Sequence, residues 1–135
     1  MKYYFSVRVP GTIDSVRPTV EALLKEEGFG ILTEIDVKET LKKKLDVDFP
    51  GYVILGACNP PFAYQALQRE EKIGLMLPCN VILQQKDGEV EVSAIDPIAS
   101  MAAVENPGLE EVATQVREKL QAVINRLAER YPTTA

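Results

Sequence analysis

The chain has 135 residues, 46% apolar and 26% charged, which predicts one globular domain over residues 1–135 and excludes a disordered chain. Twenty acidic against fifteen basic residues give a net charge of −5, the wrong sign for gripping phosphate backbones, so no nucleic-acid partner is expected. Histidine is absent, which excludes a Ser-His-Asp triad, a Cys-His dyad and a His-ligated metal within one chain.

Met1 to Val7 lacks the apolar core of a secretory signal, and no stretch has the length of apolar residues that spans a membrane. With two cysteines and no export signal, the expectation is a cytoplasmic protein with reduced thiols and no membrane partner. Lys2 to Val9 alternates as a strand does, and Pro10-Gly11 ends it. Thr12 to Glu27 is helical in period, with Val16, Val20, Leu23 and Leu24 on one stripe. An N-cap at Asp14 or Ser15 would put Pro18 in the tolerated first turn, and Gly28 supplies the left-handed stop.

Phe29 to Ile35 reads as a second strand that delivers Glu34 and Asp36 at its end. Asp36 and Glu39 have capping-box spacing, and a short helix follows with Val37, Leu41 and Leu45 on one side. Lys38 and Lys42 to Lys44 form its solvated face. After a loop from Val47 to Gly51, Tyr52 to Cys58 is an apolar strand expected to be buried on both faces. Asn59 to Glu71 is a helix of about three turns, and Ile73 to Pro78 an irregular apolar connection. Asp87-Gly88 joins strands Cys79 to Lys86 and Glu89 to Ile95 in a hairpin, with a type I′ turn expected. Asp96-Pro97 opens a short helical segment towards Met101. Asn106-Pro107 opens the last helix, with Leu109, Val112, Val116, Leu120, Val123 and Leu127 as its buried stripe. The order gives an α+β domain: one sheet, antiparallel at least in part, with helices packed against it.

Each cysteine is followed by asparagine, in Cys58-Asn59-Pro60-Pro61 and Pro78-Cys79-Asn80. Asn before Pro suits an N-cap, so Cys58 sits where a strand meets a helix N-terminus, whose partial positive charge favours a thiolate. The plainer alternative is a small buried apolar residue. In the hairpin, paired numbers sum to 175, so Leu83 faces Val92, Val81 faces Ala94, and the register extends to Cys79 opposite Asp96. Asp96 is then either a carboxylate beside a thiol or the cap of its own helix. If Cys58 and Cys79 meet, they form a disulfide, a two-sulfur site for a soft metal, or a packed thiol pair. A zinc ion would need further ligands from Asp96, Glu34 or a second chain. Gly51, Gly56 and Gly74 make no phosphate-binding loop.

The segments Glu34-Ile35-Asp36, Leu55-Gly56-Ala57-Cys58-Asn59-Pro60, Leu77-Pro78-Cys79-Asn80 and Ile95-Asp96-Pro97 resemble the bacterial and archaeal family called domain of unknown function 302. That resemblance implies a TATA-binding-protein-like fold in single copy: a curved, mainly antiparallel sheet of about five strands with helices on one side. The core order would be β-α-β-β-β-β-α with short inserted helices. It also implies a homodimer, and carries no reaction. The leading functional expectation is a ligand- or metal-binding domain whose pocket gathers Cys58, Asn59, Cys79, Asn80, Asp96, Glu34 and Asp36, with Cys58, Cys79 and Asp96 as candidate metal ligands. A thiol or redox enzyme using Cys58 and Cys79 is one alternative; an interaction module acting through its dimer surface is another. The sequence names no cofactor and leaves enzymatic activity open.

Overall fold

The computed structural model describes residues 2–131. Five strands, β1 (Tyr4–Pro10), β2 (Gly30–Asp36), β3 (Tyr52–Cys58), β4 (Cys79–Lys86) and β5 (Glu89–Ile95), form one sheet in the order β1-β5-β4-β3-β2. Every neighbouring pair is antiparallel. The helices are α1 (Ile13–Glu26), α2 (Val37–Leu45), α3 (Pro60–Arg69), α4 (Pro97–Ser100) and α5 (Glu110–Arg130), with 3-10 turns at Ile73–Met76 and Pro107–Leu109. No described helix is long and apolar enough to cross a membrane.

Side-chain alternation decides where the core lies. Val9, Val53, Leu55, Val81, Leu83, Val90, Val92 and Ala94 point to one face, where α1 and α5 cover them. The α1 stripe of Val16, Val20, Leu23 and Leu24 is fully buried, as is the α5 stripe expected from its spacing. The other face carries a row running Ile35–Ile54–Ile82–Ser93–Ser6 across all five strands, and no described helix is laid over it in the core. This corrects the expectation for β3: Tyr52, Ile54 and Cys58 are only half-buried, because a single helical layer closes one side of the sheet.

Two turns also differ from expectation. Thr12, not Asp14 or Ser15, caps α1. Its side chain accepts from the Ser15 amide while Ser15 Oγ accepts from the Thr12 amide, a reciprocal box made with serine. Pro18 therefore lies beyond the first turn, on the exposed side of the helix, where water can reach the carbonyl that its missing N–H leaves free. In the β4–β5 hairpin the register is as expected, Lys86 opposite Glu89 and Gln84 opposite Glu91. Only Gly88 of the turn pair has positive φ, 71°, so the turn is not type I′; glycine alone takes the left-handed position and Asp87 avoids it.

At the far end of α1, Gly28 (φ 88°) completes a Schellman stop. Its amide donates to the Lys25 carbonyl and the Phe29 amide reaches the Leu24 carbonyl at 2.9 Å. In β3, Gly56 is a close-approach position: a Cβ there would overlap Thr33 Oγ1 and come within 2.7 Å of Pro78 Cγ. Gly56→Ala is accordingly expected to lower stability by about 1–3 kcal/mol, read as a fall in urea midpoint. Gly74→Ala, with nothing within 4 Å of its Cβ, is the control and stays near wild type. Equal midpoints for the two variants would disprove the packing argument.

Candidate functional site

β3 ends at Cys58 and β4 begins at Cys79, with Ala57 directly paired to Cys79. The two thiols thus emerge on neighbouring strands at one end of the sheet. Both line a single cavity of about 280 Å³. Its strand end is Ala57, Cys58 and Cys79; α3 contributes Phe62, Ala63, Ala66 and Leu67, and α5 contributes Val112, Ala113 and Val116. Phe29 and Leu32 at the start of β2, the Leu77–Pro78 pair and Met101 complete it. A register shift between Ile31 and Thr33 inserts Leu32 as an extra residue and leaves it largely exposed at the cavity's edge.

The cavity exists because small side chains face one another. Ala57, Ala63, Ala66 and Ala113 stand where larger residues would fill the gap between the strand ends, α3 and α5. Its lining is almost wholly hydrocarbon and sulfur. Among the described residues, no buried side-chain nitrogen or oxygen lacks a hydrogen-bond partner.

Cys79 is 7% exposed, Cys58 is half-buried, and both are free thiols. Burial pushes the Cys79 thiol up to about 11, and the nearby Cys58 adds to the rise through charge repulsion. Cys79 is therefore a neutral S–H at neutral pH, a soft wall atom rather than an anion.

Asn59 occupies the N-cap position of α3 with extended backbone (φ −106°, ψ 99°) and Pro60 at N1, as expected. Its side chain does not cap that helix. Pro61 at N2 carries no N–H, so one of the two amides that a cap serves does not exist. Asn59 Nδ2 donates instead to the Glu27 carbonyl of the α1 terminus at 3.0 Å, which ties α1 to the cysteine corner. A second tie holds the other end of α3. Asn106 Nδ2 donates to the Arg69 carbonyl at 2.7 Å and Asn106 Oδ1 accepts from the Gly108 amide, while Arg69 Nη1 donates to the Gly108 carbonyl at 2.7 Å.

The carboxylates expected beside the thiols are placed elsewhere. Asp96 is buried, but its Oδ1 accepts from the Ile98 amide at 3.0 Å, capping α4, and its Oδ2 pairs with Arg117 Nε at 3.2 Å. The β4–β5 ladder stops at Val81–Ala94, so Asp96 and Cys79 are not ladder partners, and Asp96 does not line the cavity. Glu34 holds a bidentate ion pair with Arg17 at 2.6 Å, which keeps its carboxyl below the usual range. Asp36 accepts from the Glu39 amide at 3.0 Å and caps α2. Asn80 is exposed on the uncovered sheet face. The structure therefore brings together Cys58, Cys79 and Asn59, and not Asn80, Asp96, Glu34 or Asp36. Among the described residues, no group of three or more His, Cys, Asp or Glu is arranged to hold a metal ion. Sequence reasoning did not place Phe62, Ala63, Met101 or the α5 residues at the site; of these, the helical spacing marked Val112 and Val116 as core.

A family model described as "Domain of unknown function DUF302" matches residues 5–127. The chain belongs to that family. A solved structure described as an uncharacterized conserved protein DUF302 from Bacillus stearothermophilus is 30% identical to it. That match covers 94% of this chain and 99% of the other, with a TM-score of 0.87. No curated protein matches the chain. Membership agrees with the segments around Cys58 and Cys79 that carried the resemblance, and it assigns no reaction.

The Cys79 shift has a stability consequence. In the unfolded chain this thiol ionises near its ordinary 9.0, in the fold only near about 11, so the native state keeps the proton longer. Its contribution is fully present below pH 9 and is lost as pH rises towards 11, an effect on the order of 2 kcal/mol. Urea unfolding across that window is expected to show wild type losing more stability than Cys79→Ala. Parallel losses would refute the assignment.

Proposed function

We propose that the protein binds a small, predominantly apolar molecule in the cavity lined by Cys58 and Cys79. The observation that supports this best is the chemistry of the wall: a preformed 280 Å³ space of alanine, phenylalanine, leucine and valine side chains with two thiols. Ligand sites are concave, mostly apolar and largely preformed, and an apolar cavity of about 150 Å³ already suffices for benzene. The thiols serve as soft, polarizable contacts, a role that suits the reduced state of a cytoplasm. A soft metal ion would meet two sulfurs there with no third donor in place among the described residues, which favours an organic ligand. A redox relay is less well supported, because burial keeps Cys79 protonated.

Thermal unfolding with a panel of neutral aromatic and aliphatic probes such as indole tests this reading. A probe near 100-fold over its Kd is expected to stabilise the protein by about 2.7 kcal/mol. Ala63→Trp, which fills the cavity from its half-buried α3 wall, abolishes the shift. No shift with any probe overturns the reading, and a shift that survives Ala63→Trp places binding elsewhere.

We further propose that two copies pair through β2, α2 and the uncovered sheet face. α2 buries none of its residues, Leu45 is 66% exposed and Ile35 48%, and the Ile35–Ile54–Ile82 row opens onto solvent. An exposed apolar surface of this kind suits a second copy of the chain. Light scattering on gel-filtered protein is expected to give a dimer for wild type and a monomer for Ile35→Asp/Leu45→Asp. A monomeric wild type at micromolar concentration sinks the pairing.

A further inference from the structure

The sheet face that no helix covers changes in chemistry from one side to the other. Towards β2 it is apolar, with Ile35 and Ile54. Towards β1 it turns polar and holds a shallow cavity of about 390 Å³, a size in the small-molecule range. Strand register lays out its floor. At one end Glu91, Gln84 and Tyr52 stand opposite one another across β5, β4 and β3. Ser93 and Ile82 form the middle, and Tyr4, opposite Ile95, closes the other end together with Asn80. Asn80 and Gln84 point the same way, four residues apart on β4, which separates them by about 13 Å.

The hydrogen-bonding groups of this floor divide into fixed and free. Ser6 Oγ donates to Glu91 Oε2 at 2.8 Å and Arg8 Nε pairs with Glu91 Oε1 at 3.3 Å, so the carboxylate is held and its charge answered. With its one proton committed to Glu91, Ser6 accepts from Ser93 Oγ at 3.0 Å, and Ser93 presents only lone pairs to the cavity. The Asn80 and Gln84 amides, by contrast, make no side-chain hydrogen bond among the described residues. Gln85, the next residue on β4, is fully engaged with Gly11, Ile13, Lys86 and Glu89. No Lys or Arg lines the cavity and its one carboxylate is already paired, so neither an anion nor a cation finds a partner there. A neutral molecule rich in hydroxyls does. The two amides offer donors and acceptors together, Ser93 and Glu91 offer acceptors, and Tyr4, Tyr52 and Ile82 offer apolar surface to its C–H faces.

We propose that this cavity is a carbohydrate site for a neutral oligosaccharide of at least two linked rings, one against Tyr52 and Gln84 and the next towards Asn80 and Tyr4. The length follows from the two free amides, which stand further apart than one hexose ring can reach. The site shares no lining residue with the thiol cavity and is independent of it. Ile35 and Leu45, which anchor the proposed pairing of copies, lie outside it.

Amide chemical-shift titration of the full chain with cellobiose, maltose, lactose and glucose tests the proposal. At least one disaccharide is expected to shift the Asn80 and Gln84 side-chain signals and to bind about fivefold tighter than glucose, the gain from one further hydrogen-bonded amide. Asn80→Ala/Gln84→Ala removes two side chains that have no partner in the fold; it keeps the wild-type urea midpoint and loses at least that factor in affinity. Glucuronate and glucosamine bind no tighter than glucose. Ile35→Asp/Leu45→Asp binds the disaccharide as wild type does. No response to any disaccharide at its solubility limit, undiminished affinity in Asn80→Ala/Gln84→Ala, or tightest binding of a charged sugar overturns the proposal. Loss of binding in Ile35→Asp/Leu45→Asp overturns the placement of the site on a single copy.

Discussion

A five-stranded sheet has two faces, and this chain lays its two long helices over only one of them. Everything else follows from that asymmetry. The period-two alternation of each strand puts valines and leucines under α1 and α5 and leaves isoleucines, serines and tyrosines on the other side. All four ladders are antiparallel, but only β4 and β5 are joined by a tight turn; the other connections carry the helices and gather at the sheet ends. The cysteine corner belongs to one of those ends.

The cavity is a consequence of how the short α3 helix is mounted. α3 is fastened at its start by Asn59 to the end of α1 and at its finish by Arg69 and Asn106 to the entry of α5. Those ties set the separation between α3 and the strand ends, and the alanines on the facing surfaces leave that separation unfilled. Buried Asp96 serves the same scaffold from another side. By capping α4 and pairing with Arg117 of α5, it positions the segment that carries Met101. Its conspicuous Asp-Pro signature is thus structural.

Much of the fold was legible in the sequence because periodicity is a strong signal. The α1 and α5 stripes, the 175 register of the hairpin and the stop at Gly28 all follow from spacing and stereochemistry. Less legible was which strand face would be covered. YVILGAC is apolar throughout, and nothing in it says that Ile54 would face away from the helices. The site was half legible. Cys58, Asn59 and Cys79 stand out by residue type, whereas Ala63, Ala66 and Ala113 read as ordinary helix interior, and a cavity depends on what three separate elements fail to fill. Asp96, Glu34 and Asp36 drew attention because carboxylates near cysteines suggest ligation; their partners, an arginine on another helix or a local amide, lie outside any sequence window.

The reciprocal clasp between Arg69, Asn106 and Gly108 fastens the end of α3 to the turn that leads into α5, in addition to the packing between the two helices. With that clasp closed, α3 is held at a fixed distance from the strand ends, so the cavity walls are ordered in the absence of any occupant. The shape and surface chemistry of that space are thereby fixed by the scaffold itself, and its rim, with Leu32 and Leu67 exposed, stands open to solvent without any helix being unfastened.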